Sequence, residues 1–143
     1  MDAFSTALLA LVSPPTYRTV AWCVLPNHYH LLVEAPDILR LLQSLGQFHG
    51  RTSYQWNGEE QTRGRKVFFR AVERAIKSER HFWATMNYVH HNPVHHRYVQ
   101  RWADWRWSSA ADFLAQMGHE EAERIWRSYP VREYGKGWDD PDL

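Results

Sequence analysis

One feature constrains the chain more than any other: two short β-prone runs joined by a turn pair. Tyr17 to Leu25 is rich in Tyr, Thr, Val and Trp, the residue types that fit a pleated, half-buried surface. Pro26-Asn27 follows, and then His28 to Glu34 alternates between the two faces of a strand. The pattern predicts an antiparallel hairpin. A lone hairpin is marginal in water, so other elements must cover it. Helical spacing supplies candidates. Phe4, Leu8, Leu9, Leu11 and Val12 form one helical stripe, stopped by Ser13-Pro14-Pro15. Asp37 is placed to cap a helix carrying Ile38, Leu41, Leu42 and Leu45, expected to run to about Tyr54. Asn57-Gly58 through Gly64 reads as a polar loop, and Lys66 to Ala71 as a short, aromatic third strand. Ser78 is a plain N-cap for a helix from Glu79 to Asn92, which Pro93 is expected to end. A Trp-rich loop from Trp102 to Trp107 leads to a helix from Ser108-Ser109 through Met117. Gly118 breaks that helix, Glu120 to Ser128 reads as another, and Gly135 to Leu143 as a polar tail. The expected class is α+β, a small antiparallel sheet with helices packed on it.

Composition narrows the function. The 143 residues fit one domain, taken as 1–143. Seventeen Lys and Arg against sixteen Asp and Glu give a net charge of +1, which excludes a polybasic protein but leaves room for a local basic patch. The single cysteine, Cys23, rules out an internal disulfide and a Cys-rich zinc module, and its apolar strand predicts a buried, inert thiol. No apolar run approaches the roughly 18 residues of a membrane helix. The opening Met1-Asp2-Ala3-Phe4 has no basic n-region, so the expectation is a cytoplasmic protein with no membrane partner. Eight Trp, nine His and a cationic complement with only three Lys stand out. Arg forks grip phosphates and aromatic rings stack on bases, although Trp equally serves as core.

Two constellations carry chemistry. In Pro26-Asn-His-Tyr-His-Leu-Leu-Val33, residues two apart share a face, so His28 and His30 point together and Tyr29 points away with Leu31 and Val33. Two imidazoles on adjacent rungs can reach one metal ion. Alone, the pair reads better as a polar, solvent-facing edge on a half-exposed strand. In Tyr88-Val-His-His-Asn-Pro-Val94, Tyr88 and Asn92 stand one turn apart on one helix face. A tyrosine hydroxyl can be a nucleophile, and an amide oxygen can be a hard ligand for Mg or Mn. Alone, these two read as a core aromatic and a helix stop. Together, the four residues are what single-strand DNA cleavage by a tyrosine requires: a metal that polarises the scissile phosphate and a nucleophile that attacks it.

These segments, followed by Trp107-Ser-Ser109, resemble the HUH single-tyrosine transposases, and most closely the REP-associated tyrosine transposases. The resemblance covers about residues 17–115, leaving 118–143 as a C-terminal extension. It implies a ferredoxin-like HUH fold in which His28 and His30 are metal ligands, Tyr88 the nucleophile and Asn92 the third ligand, where many relatives carry Gln. It implies a divalent cofactor, Mg or Mn, and single-stranded or hairpin DNA as partner. It also implies a monomer or homodimer with no obligate protein partner. Val33-Glu34 and Phe68-Phe69-Arg70 also fit the family pattern. The resemblance also implies a first strand ahead of the first helix, and no strand pattern is read before Phe4. A catalytically decayed module that only binds DNA, and a zinc hydrolase in which Tyr88 is structural, are the alternatives.

Two basic stretches are candidate DNA contacts. Arg63, Arg65, Lys66 and Arg70 form one, equally readable as a solvated edge. Arg97, Arg101 and Arg106, interleaved with Tyr98, Trp102, Trp105 and Trp107, form the other, equally readable as packing. His90, His91, His95 and His96 crowd the helix end and are expected to line a polar surface or touch phosphate.

Overall fold

The computed structural model describes residues 1–13, 15–69, 71–132 and 134–135. Its elements are α1 (Asp2–Leu11), β1 (Arg18–Val24), β2 (Tyr29–Glu34), α2 (Ile38–Glu59), α3 (Glu79–His95), a single 3₁₀ turn (Trp102–Asp104), α4 (Ala110–Met117) and α5 (His119–Ser128). This is an α+β arrangement built on an antiparallel pair of strands.

The hairpin forms where the sequence places it. Leu25 N–H donates to the His28 carbonyl (2.8 Å) across the turn. His28 therefore closes the turn, and β2 begins one residue later than expected. Val24 pairs with Tyr29, Cys23 with His30 and Trp22 with Leu31. An irregularity between Thr19 and Ala21 absorbs one residue in β1. Strand parity then sorts the side chains. Ala21, Cys23, Leu25 and Leu32 bury against Met86 and Val89 of α3. Trp22, Val24, Tyr29 and Leu31 pack on the other side with Leu8 of α1 and Phe48 of α2. The sheet is thus a layer between α3 and the α1–α2 pair. Along β1, Val24 N–H donates to the Trp107 carbonyl (2.8 Å) and Ser109 N–H to the Trp22 carbonyl (3.0 Å).

Caps fall where the side chains predict them. Asp37 accepts from Arg40 N–H (3.0 Å) and Ser78 from His81 N–H (3.1 Å). Ser109 behaves differently. It precedes α4 without capping it, and its hydroxyl oxygen instead accepts from Trp22 N–H (2.9 Å). Gly118 ends α4 with φ 78°, a left-handed conformation in which glycine carries no steric penalty.

Three expectations need correction. Helix α2 does not stop near Tyr54 but runs to Glu59, so Asn57-Gly58 lies inside it. The reason is that Asn57 is buried and its amide donates to the Arg65 carbonyl (2.7 Å), spending on the following turn the side chain that would otherwise break the helix. Residues 66–69 and 71 are not a third strand, and Arg70 lies outside the described residues. Phe68 instead anchors this stretch by its ring, stacked on His49 at 4.2 Å and near Phe4 at 6.1 Å. The aromatic pattern that reads as a strand is here a single hydrophobic plug. Finally, Pro93 does not end α3, which continues to His95. Residues beyond Pro93 close the last turn with their own bonds: His96 N–H to the Asn92 carbonyl (3.0 Å) and Tyr98 N–H to the Pro93 carbonyl (2.9 Å). The expected tail beyond Gly135 lies outside the described residues. Among them, no helix is long and apolar enough to cross a membrane.

Candidate functional site

Helix α3 lies on the sheet face that carries His30, and two anchors fix how it lies. Asn87, 4% exposed, donates to the Tyr129 carbonyl (2.9 Å), tying α3 to the end of α5. His90, 1% exposed, bonds Ser109 Oγ through Nε2 (2.9 Å), tying α3 to β1 through the same hydroxyl that holds Trp22. His91 stacks on Trp126 at 3.7 Å. Burial pushes the His90 imidazole down to about 3, helped by the neighbouring His91 charge. Burial likewise pushes His91 down to about 4, opposed by its bond to the Asn87 carbonyl. Both rings are therefore neutral structural groups at physiological pH, not the surface contacts expected of them.

With α3 so held, Tyr88 and Asn92 meet the histidine pair. The His28 and His30 rings stand 5.1 Å apart, nearly edge to face. The Tyr88 ring stands 5.1 Å from His30. His28 Nε2 lies 3.3 Å from Asn92 Oδ1. Four side chains from two segments separated by more than fifty residues thus share one cluster, as strand parity and helix periodicity require. His96, one turn beyond Asn92, joins it with its ring 5.0 Å from His28. The i, i+4 spacing to Asn92 carried that signal in the sequence.

The donor set suits a divalent ion. His28 Nδ1 lies 2.8 Å from Asn27 Oδ1. The tautomer that donates there leaves the Nε2 lone pair facing Asn92 Oδ1. The 3.3 Å between them sets an imidazole nitrogen beside an amide oxygen, two donor types that divalent ions accept. Among the described residues, no group of three or more His, Cys, Asp and Glu side chains could hold a metal. The Asn92 amide is the oxygen donor that stands beside the histidine pair.

Tyr88 is only 7% exposed. Its ring packs against the backbone of Gly135, where an added Cβ would come within 2.1 Å of Tyr88 Cε2. Tyr134, with its ring 5.8 Å from that of Tyr88, bonds Thr85 Oγ1 (2.5 Å) and His81 Nε2 (2.9 Å) through its hydroxyl. The Tyr134–Gly135 segment thus packs against the ring of the candidate nucleophile. Nothing local in the sequence marks this contact, because it joins positions 47 apart that share no motif.

The expected DNA contacts are dispersed. Arg65 pairs with Glu60 (2.5 Å), and Arg63 lies 4.3 Å over the Tyr54 ring. Lys66 lies 4.8 Å over the Phe69 ring. Arg106 pairs with Asp2 (3.0 Å) and Arg101 with Asp104 (4.0 Å). Arg97 is exposed at the end of α3. Cys23 is fully buried, as its strand position requires.

Comparison with known proteins gives one further observation. The chain is 30% identical over 103 residues to a protein named a REP-associated tyrosine transposase from Haemophilus influenzae. The match takes in 65% of this chain and 58% of the relative's length. No protein-family model matches the chain, and no solved structure matches it.

Proposed function

We propose that this chain is a metal-dependent, transposase-like enzyme with an HUH-type site that nicks and rejoins single-stranded DNA at hairpin or repeat sequences. Support comes from the meeting of His28, His30, Tyr88 and Asn92 in one cluster, together with the similarity to a protein named a REP-associated tyrosine transposase. In this reading Tyr88 Oη attacks the scissile phosphorus in line. The bond to the 3′ oxygen breaks, the phenol proton leaves to solvent, and the departing 3′ oxygen takes up a proton. The 5′ phosphate remains on Tyr88 until a 3′ hydroxyl attacks it and restores the strand. His28, His30 and Asn92 hold Mg or Mn, which when bound polarises the phosphate and stabilises charge on the leaving oxygen. The His30 ring, set nearly edge-on to Tyr88, fixes the tyrosine beside that centre.

A second reading, a module that binds hairpin DNA without cutting it, is favoured by one observation: Tyr88 lies beneath Tyr134–Gly135. The two readings part at the covalent adduct, and the metal tests the HUH assignment that both share. Calorimetry with Mn²⁺ should show one site in the wild type and at least a tenfold loss of affinity in the His28→Ala/His30→Ala double variant, since two of the three proposed protein ligands are gone. Equal affinity in both proteins would count against the HUH assignment.

A further inference from the structure

Helix α3 ends in a conformation that its sequence does not favour. Tyr98 N–H donates to the Pro93 carbonyl (2.9 Å) and Arg97 N–H to the Val94 carbonyl (3.0 Å). This bond pair is the Schellman termination, whose closing residue takes the left-handed conformation and is most often glycine. Here it is Arg97, with φ 61°. An L side chain is strained at such a position, and strain held in a fold is a pointer to what that side chain does. Arg97 makes no ion pair among the described residues, whereas neighbouring Arg101 and Arg106 are held by Asp104 and Asp2.

The next residue, Tyr98, is 43% exposed. Its ring leans on Trp105 at 5.3 Å, and the Trp105 indole N–H is fixed to the Val24 carbonyl (2.9 Å). Its other ring neighbour is His96 at 6.3 Å, which in turn stands 5.0 Å from His28. An exposed, braced aromatic ring and an unengaged guanidinium therefore sit side by side, two ring contacts from the candidate metal centre.

We propose that the Arg97–Tyr98 corner is the single-strand contact beside that centre. Tyr98 stacks on a base of the strand leading to the scissile phosphate, and Arg97 binds a phosphate next to it. Every base has a π-face and every nucleotide a phosphate, so this contact is tolerant of sequence and selective for unpaired strand. The inference rests on the DNA-cleaving reading and adds to it where the strand runs.

The test uses the full chain and a DNA hairpin with single-stranded flanks, in which 2-aminopurine replaces one flanking base at a time. Wild type should quench one or two adjacent positions. Tyr98→Ala should lose that quenching and bind the flanked hairpin about tenfold more weakly, and Tyr98→Trp should restore both. Arg97→Gly relieves the backbone, so its thermal midpoint should rise while its affinity for the flanked hairpin falls, a pairing that a purely structural residue would not give. A raised midpoint with unchanged affinity, or a lowered midpoint, overturns the role assigned to Arg97. A hairpin bound with no flanking base quenched overturns the corner while sparing the DNA reading. A wild type that binds no DNA overturns both.

Discussion

Tyr88→Phe should abolish covalent attachment to DNA while leaving the fold and DNA binding in place. The substitution removes one oxygen and keeps the ring that touches His30, Tyr134 and Gly135. Packing around position 88 is therefore preserved, and hairpin affinity, which arises largely from cations on phosphates, should change less than threefold. The chemistry has no substitute. His91 stands three residues on, but its ring is stacked on Trp126 and turned to the Asn87 carbonyl. Asn92 carries no nucleophile. Loss of acid-stable adduct on a denaturing gel should thus be complete. An undiminished adduct would move the nucleophile elsewhere, with exposed Tyr98 the first candidate.

The second large effect is on stability. His90 and His91 are neutral in the fold and are pushed down to about 3 and about 4 by burial. In the unfolded chain both titrate near 6.5. A depressed folded value stabilises the protein fully above the unfolded value, and that contribution is lost as pH falls through the folded one. The unfolded state therefore gains up to two protons between about pH 6.5 and 4. Each pH unit is worth about 1.4 kcal/mol per histidine, so stability should drop by about 3 kcal/mol between pH 6.5 and 5. Urea unfolding at a series of pH values, with chelator present, reads this slope directly. His91→Gln should roughly halve it. A flat stability from pH 7 to 5 would mean that the two rings are not buried as neutral groups.

Features set by local periodicity were legible in the sequence. The hairpin, the Asp37 and Ser78 caps and the sharing of a face by His28 with His30 and by Tyr88 with Asn92 follow from periods of two and 3.6 and from side chains that satisfy helix N-termini. Features set by distant partners were not. Asn57 looks like a helix breaker until Arg65 is placed to accept its amide. Phe68 looks like a strand residue until His49 is placed beneath its ring. Pro93 looks like a terminus, yet the helix carries two residues past it, and the residues that follow close the turn at the expense of Arg97. The covering of Tyr88 by Gly135 is the extreme case, since a glycine in a polar stretch announces nothing about the ring it will meet.

In the proposed reaction Tyr88 becomes covalently joined to a 5′ phosphate. The direct measurement is to incubate the wild-type chain with Mn²⁺ and a single-stranded hairpin substrate, trap the adduct in acid, digest DNA and protein, and locate the nucleotide by mass spectrometry. A phosphodiester-linked nucleotide should be found on the peptide that contains Tyr88, and only with the metal present. A nucleotide on any other residue, or bound hairpin with no adduct in any peptide, would contradict that reaction.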